Sequence, residues 1–324
     1  MTDLFRTRPI IVGLALVLAI AAGRSAVAQS DAKSALGFES ASDRVVLTYS
    51  GQPIAEFVFA DPKIPRPHLA NVRLKSQRQV TRHHPPVAGM DAVDHADMHP
   101  GVWLAFGDIN GHDFWRNKAR VEHVRFTHPP TTANGRLSFT TESRLLRNNG
   151  ELIGRMDNLL TAEERPHGWR LTWEATLIAE GGALVLGDQE EMGFGARVAT
   201  GITEKNGGVI LNSDGLRSAK STWGKPAAWC DYSGTLDGSP CGVTLMTAPS
   251  NFRGSWWHNR DYGLVVANGF GRAAMKQGEK SQVTIQQGDS LKLIYAATFH
   301  EGAEYDAGRE YDSFVSSLKP RAAD

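Results

Sequence analysis

The residues best equipped for chemistry lie close together in the first third of the chain. Most of its eleven histidines fall between His83 and His128. The densest run, R-H-H-P-P-V-A-G-M-D-A-V-D-H-A-D-M-H-P-G-V-W, holds His83, His84, Asp94, His95, Asp97 and His99. Imidazoles titrate near neutral pH and ligate metals, so histidines interleaved with carboxylates suit proton transfer or metal binding. His95 and His99 are four residues apart and would share one face of a short helical turn. There they could meet a substrate hydroxyl, or hold a metal with His258 or His84 as a third ligand. No H-E-x-x-H pattern is present, which argues against a metalloprotease zinc site.

Three further segments carry chemistry. F-G-D-I-N-G-H-D-F-W-R-N-K, residues 106–118, lacks the glycine spacing and distal glutamate of an EF-hand. It reads as Asx-rich turns, with Asn110, Asp113, Arg116 and Lys118 lining a polar pocket beside Trp115. G-D-Q-E-E-M-G-F-G-A-R, residues 187–197, supplies Glu190 and Glu191. On a strand these would point to opposite faces, so one of them, Glu191, is expected to enter a site. Finally, K-S-T-W-G-K-P-A-A-W-C-D-Y and N-F-R-G-S-W-W-H-N-R-D-Y bring Lys225, Asp231, Asn251, Arg253, Trp256, Trp257 and His258. Aromatic faces among such donors and acceptors suit a sugar, which has apolar C–H faces and a rim of hydroxyls.

These residues compose one expected site. His95, His99, Glu191, Asp231 and His258 are its catalytic candidates. His99 or His258 would exchange a proton with a sugar hydroxyl or with the carbon beside a carbonyl, and Glu191 or Asp231 would be the complementary acid or base. Asn110, Trp115, Arg116, Lys225, Asn251 and Arg253 would contact substrate, with Trp257 stacked on the ring. No cofactor is expected beyond the optional metal at His95 and His99.

The elements that must position these groups are strands. Leu171, Trp173, Ala175 and Leu177 alternate with polar residues, as do Leu291, Leu293, Tyr295, Ala297 and Phe299, and less cleanly Leu137, Phe139, Thr141 and Ser143. Such period-two runs, separated by Asn134-Gly135, Asn149-Gly150, Asn206-Gly207-Gly208 and Asp237-Gly238, predict antiparallel sheets. Pro85, Pro86 and Pro100 exclude a continuous helix through the histidine run, which reads as a long loop before a strand over 101–107. One helix is expected between Glu301 and Lys319, where Tyr311, Phe314, Val315 and Leu318 recur at helical spacing. The fold expected is all-β, a single large antiparallel sandwich over 44–324 with a C-terminal helix.

The N-terminus reads as a signal peptide over 1–28. Arg6 and Arg8 precede an apolar stretch too short to span a bilayer comfortably, and Ala26 and Ala28 occupy the small-residue positions before a cleavage site. The body would then be periplasmic or secreted, with no membrane span after cleavage and a loose leader over 29–43. Lysines plus arginines equal aspartates plus glutamates in the whole chain, and removing 1–28 leaves it slightly acidic. Neither balance recommends nucleic acid as a partner. Cys230 and Cys241 flank a turn-rich stretch, and export would permit a disulfide between them.

The segments D-H-A-D-M-H-P-G-V-W-L-A-F-G-D-I-N-G-H-D-F-W, G-D-Q-E-E-M-G-F-G-A-R-V-A-T, W-G-K-P-A-A-W-C-D-Y-S-G and N-F-R-G-S-W-W-H-N-R-D-Y-G-L-V-V-A-N resemble the PmoA-related family of bacterial proteins. The resemblance spans roughly 45–315. It implies a galactose-mutarotase-like supersandwich and a place in carbohydrate catabolism, and it assigns no catalytic residue. A membrane-embedded methane monooxygenase subunit would need several apolar spans, which this sequence lacks. The expected function is an exported carbohydrate-active enzyme performing hydrolysis, elimination or epimerisation. The alternatives are a non-catalytic carbohydrate-binding protein and a histidine-ligated metal-dependent oxygenase or hydrolase.

Overall fold

The described residues form eighteen strands, among them the alternating runs expected from the sequence. The computed structural model describes residues 1, 2 and 35–319. The signal peptide expected over 1–28 lies outside the described residues save for its first two. In chain order the strands are β1 (Leu36–Ser40), β2 (Arg44–Tyr49), β3 (Gln52–Val58), β4 (His68–Ala70), β5 (Val102–Phe106) and β6 (Arg120–Ala133). Next come β7 (Arg136–Leu146), β8 (Leu152–Arg165), β9 (Gly168–Ile178), β10 (Leu184–Leu186), β11 (Met192–Arg197) and β12 (Val209–Asn212). The last are β13 (Trp229–Leu236), β14 (Ser239–Thr247), β15 (Trp256–Trp257), β16 (Leu264–Asn268), β17 (Val283–Ile285) and β18 (Ser290–Glu301). Two α-helices, α1 (Ala219–Thr222) and α2 (Ala307–Ser317), join them.

Two eight-stranded sheets carry the fold, in the orders β1-β2-β3-β4-β5-β11-β16-β15 and β12-β13-β14-β18-β9-β8-β7-β6. All pairings within them are antiparallel. One core joins the sheets: Phe57, Leu104, Phe194 and Ala267 of the first are buried with Phe139, Trp173, Tyr295 and Phe299 of the second. The register of β9 on β18 sets Trp173 opposite Tyr295 and Ala175 opposite Leu293, so the two expected apolar faces coincide. Asn134-Gly135 and Asp237-Gly238 take left-handed conformations and close the β6–β7 and β13–β14 hairpins as anticipated. Asn206-Gly207 instead ends a 3-10 turn, where Gly207 supplies the left-handed cap.

Three expectations are corrected. Residues 36–40, expected within a loose leader, form β1, because Leu36 is buried in the core and the strand pairs along its whole length with β2. The helix is shorter than expected: Asp306 accepts from Arg309 N and starts it six residues into the predicted span. Its Phe314, Tyr311, Val315 and Leu318 pack on Met246 and Ala296, on the face of the second sheet turned away from the main core. Cys230 and Cys241 are both buried free thiols. The tight turn fixes Leu236 opposite Ser239, which places Cys230 against Leu245 and Cys241 against Gly234. The sulfurs are thus four register positions apart, roughly 13 Å along the strand, beyond disulfide reach. Among the described residues no helix is long and apolar enough to cross a membrane.

Burial pushes both thiols above their ordinary range and suppresses thiolate. The folded protein should therefore react slowly with alkylating reagents. When it is unfolded without reductant, mass spectrometry should show both cysteines alkylated; failure of either to react would mean the sulfurs are joined.

Candidate functional site

The first sheet has a second apolar face. Trp103 and Ala105 of β5 and Leu264 and Val266 of β16 point away from the main core and are buried under Trp115, with Met98 and Tyr262 against them. Gly195, at the centre of β11, makes this packing possible, since a Cβ there would lie 3.0 Å from the Trp103 indole. Two loops roof this face: the histidine loop before β5 and the 107–118 segment after it.

The histidine loop forms the single turn that its spacing suggests. His99 N donates to His95 O at 3.0 Å, and the two rings stack at 4.9 Å. The stack continues from His95 to Tyr262 at 5.8 Å and from His99 to Trp103 at 5.1 Å. His95 has a positive φ of 51°, a strained conformation for a residue with a Cβ. Its carbonyl accepts from His99 N, Met98 N and the Arg82 guanidinium.

His95, Met98, His99, Trp115, Arg116, Glu191, His258, Arg260, Tyr262 and Leu264 line a cleft of about 120 Å³. That is small beside the roughly 300–1,000 Å³ of common ligand pockets, and it suits one small group or the end of a longer ligand. Arg260 also borders a neighbouring groove of about 360 Å³ with Trp223, Lys220, Glu204 and Asp261.

The charged groups and the imidazoles of the cleft are held by partners. His95 Nδ1 lies 2.8 Å from Asp94 Oδ2, which leaves Nε2 with its lone pair free when Nδ1 donates. Asp94 accepts a bidentate pair from Arg197 at 2.9 and 2.8 Å. Burial works against its charge, but the hydrogen bonds from Arg197 and His95 and the nearby Arg82 hold its carboxyl well below the usual range. Arg197 Nη1 also lies 3.4 Å from His99 Nδ1, so that nitrogen accepts and Nε2 carries the proton. Arg116 bridges Asp113 at 3.0 Å and Glu191 at 2.7 Å. Arg260 pairs with Glu190 at 2.7 Å.

His99 and His258 are neutral at physiological pH. Burial lowers His99 first, and the positive charges of Arg197 and Arg82 add to it. Burial likewise takes His258 down to about 3, helped by Arg260. His258 Nδ1 meets Glu190 O at 3.0 Å, and its Nε2 lies 3.5 Å from Glu190 Oε2. With the ring neutral, the latter is a contact and not an ion pair.

Of the expected residues, the cleft gathers His95, His99, Glu191, His258, Trp115 and Arg116. The others lie elsewhere. Asp231 is buried in the second sheet, bonded to His300 at 2.8 Å and Thr244 at 2.7 Å. Asn110 braces the 107–118 turn against Ala183 O and Val185 N. Asn251 secures Ile294 through both its carbonyl and its amide. Lys225 is exposed, with its carbonyl accepting from Trp257 N. Arg253 lies over the Phe252 and Trp256 rings. Trp257, expected to stack on a sugar ring, is instead fully buried and donates to Ala227 O, because its pairing with Ala267 turns it into the core, while Trp256 is partly exposed.

Both adjacent glutamates reach the cleft region, through Arg260 and Arg116, because 190–191 is a bend and the strand rule of opposite faces does not apply. Gly107 N holds that bend by donating to Glu191 O at 2.7 Å, and a Cβ at Gly107 would collide with the same oxygen. Asp94 and Tyr262 were visible as polar members of the two clusters. Arg197 was not singled out, and only its position on β11 reveals its role. The expected metal pair is a ring stack, with the Nδ1 of His95 bound to Asp94 and that of His99 beside Arg197.

Fold and cleft together define an all-β protein built on two large sheets, with an ion-paired, histidine-lined recess on the outer face of one of them. The chain belongs to the family of unknown function DUF6807, whose model matches residues 44–311. No curated protein matches it. Among solved structures it is similar to a galactose mutarotase-like protein from Lactobacillus casei ATCC 334, at 9% identity and a TM-score of 0.38, over 82% of this chain and 100% of that one. It is also similar to a GH36 alpha-galactosidase from Geobacillus stearothermophilus, at 12% identity and a TM-score of 0.42, over 82% of this chain and 41% of that one. A galactose mutarotase related enzyme from Lactobacillus acidophilus matches at 8% identity and a TM-score of 0.37, over 83% of this chain and 98% of that one.

The depressed His258 and His99 values carry a consequence for stability. A histidine that stays neutral when folded but accepts a proton when unfolded stabilises the fold fully above its unfolded pKa, near 6.5, and loses that contribution as pH falls toward the folded value, about 3 for His258. Chemical denaturation from pH 7 to 4 should show stability declining. His258→Asn should flatten the slope by up to one proton; an unchanged slope would contradict a neutral buried His258.

Proposed function

We propose that this protein is an exported carbohydrate-active protein whose cleft performs acid–base chemistry on a sugar hydroxyl or glycosidic centre. One observation carries the reading: His95, His99, Glu191 and His258, drawn from three distant segments, meet around a single small recess with Arg116, Arg260 and Tyr262. The charged lining residues are all ion-paired, Arg116 with Glu191 and Arg260 with Glu190 behind the wall, which favours an uncharged polyol over a strongly charged ligand. His95 is the preferred base, because Asp94 accepts from Nδ1 and directs the Nε2 lone pair outward. Glu191, steadied by Arg116, is the complementary carboxyl group. Neutral His99 and His258 then serve as hydrogen-bonding groups for hydroxyls. The groove beside Arg260, with Trp223 in its wall, extends the recess toward a second sugar unit. The PmoA-related resemblance and a periplasmic or secreted location belong to the same reading.

The neutrality of His99 and His258 also favours a second reading, a carbohydrate-binding protein without turnover. Incubation with an oligosaccharide panel, followed by mass spectrometry and calorimetry, separates the two. The enzyme reading expects a product whose formation falls about 10²-fold or more in His95→Ala and Glu191→Gln while both variants stay folded. Binding without product supports the second reading, and neither binding nor product across a broad panel overturns both.

A further inference from the structure

Outside the cleft, one other group of ligating side chains converges. Among the described residues, Asp61, His68 and His84 place one ligand atom each within 4.8 Å of one another. None of the three lines the cleft. We propose that Asp61, His68 and His84 bind a divalent transition-metal ion, zinc by preference.

The geometry of each ligand is already set. Asp61 Oδ1 accepts from Lys63 N at 2.7 Å and Ile64 N at 3.0 Å, which fixes the carboxylate and leaves Oδ2 for another partner. His68 opens β4 and is fully buried. Its Nδ1 is 3.0 Å from Arg66 O, a carbonyl that can only accept, so Nδ1 carries the proton and Nε2 the lone pair. That Nε2 is buried and has no hydrogen-bond partner; Asp61 Oδ2, at 3.9 Å, is itself an acceptor. A neutral imidazole whose outer N–H is bound to a backbone carbonyl, with its inner lone pair bare, is the arrangement of a metal-ligating histidine. His84 meets the His68 ring edge-on at 5.1 Å between centroids, with its Nε2 3.1 Å from Asp61 Oδ2. Asn71 clasps its backbone twice, accepting from His84 N at 2.9 Å and donating to His84 O at 3.2 Å.

Two imidazoles and one carboxylate, with a position left for water, suit a borderline ion such as Zn²⁺ over Mg²⁺ or Ca²⁺, which prefer oxygen. Ligands of a tetrahedral zinc lie about 3.4 Å apart, so closure asks side-chain shifts on the order of 1 Å. Access is available because His84 also lines a surface groove with Asn71, Glu56 and Gln77. Bound there, the ion would tie the 59–67 connection, β4 and the start of the histidine loop to one point. Arg66 carries the link onward, since its guanidinium donates to Trp115 O at 2.9 Å and Met98 O at 2.6 Å in the cleft wall.

The test uses the full chain, stripped with chelator and titrated with Zn²⁺ against a chromophoric competitor, then with Co²⁺ followed by visible absorption. One equivalent should bind, Co²⁺ should give the intense bands of a low-coordinate site, and Zn²⁺ should raise the melting temperature. His84→Ala and Asp61→Asn should each weaken binding at least about tenfold and abolish the thermal shift. Both lie in loops, so each variant can be checked for an unchanged circular dichroism spectrum. Absence of binding by the folded wild-type chain, or one-equivalent binding retained in both folded variants, overturns the assignment. Neither result bears on carbohydrate turnover, which is measured separately.

Discussion

The site depends on two buried arginines that hold an irregular loop against a sheet. Arg197 leaves β11 on the outer face and grips Asp94 with both nitrogens. Arg82, equally buried, donates to the carbonyls of Ala92, His95 and His99. A loop of this length has no ladder to satisfy its backbone, and buried carbonyls without partners would oppose its folding. The Arg82 guanidinium supplies those donors from a fixed position, and Arg197 anchors the loop through the Asp94 carboxylate. Burial brings Arg82 down to about 10, with the Arg197 charge contributing, so it keeps its proton at neutral pH. The two like charges are tolerable together because Asp94 lies against both.

The histidines inherit their character from that arrangement. Burial, reinforced by cationic neighbours, keeps His99 uncharged, and the same two causes act on His258 at the other wall. His95, partly exposed and joined to Asp94, is the imidazole left to face solvent with a free nitrogen. Three rings of similar composition thus have different tasks, assigned by depth and by which charge is adjacent. The ring stack through Tyr262, His95, His99 and Trp103 gives the wall rigidity that a loop lacks on its own.

Arg66 connects this wall to the Asp61–His68–His84 cluster. Its carbonyl orients His68, and its guanidinium supports the carbonyls of Trp115 and Met98. One residue therefore contacts both polar centres of the first sheet. Hydrogen bonds and one packed side chain thus form a contiguous contact between the cluster and the cleft wall.

The sequence determined the strands, the hairpin turns and the neighbourhood of the site, because these follow local rules. The period-two apolar pattern of β9 and β18 requires only that one face be turned to the core, and Asp237-Gly238 turns the chain through its own backbone preferences. The i, i+4 spacing of His95 and His99 likewise sufficed to pair them. The tertiary structure decided which groups share the cleft. Asp231 has the right chemistry but lies on the other sheet, bonded to His300. Trp257 rather than Trp256 became core because of its register with β16, a non-local pairing. Cys230 and Cys241 remained apart because the hairpin register, fixed by the turn, opposed each to a different residue. Arg197 looked like an ordinary strand residue, and its role arose only when β11 came beneath a loop a hundred residues earlier in the chain. Local periodicity constrains which way a side chain points along its own strand; what it meets there is set by the order in which distant strands pair.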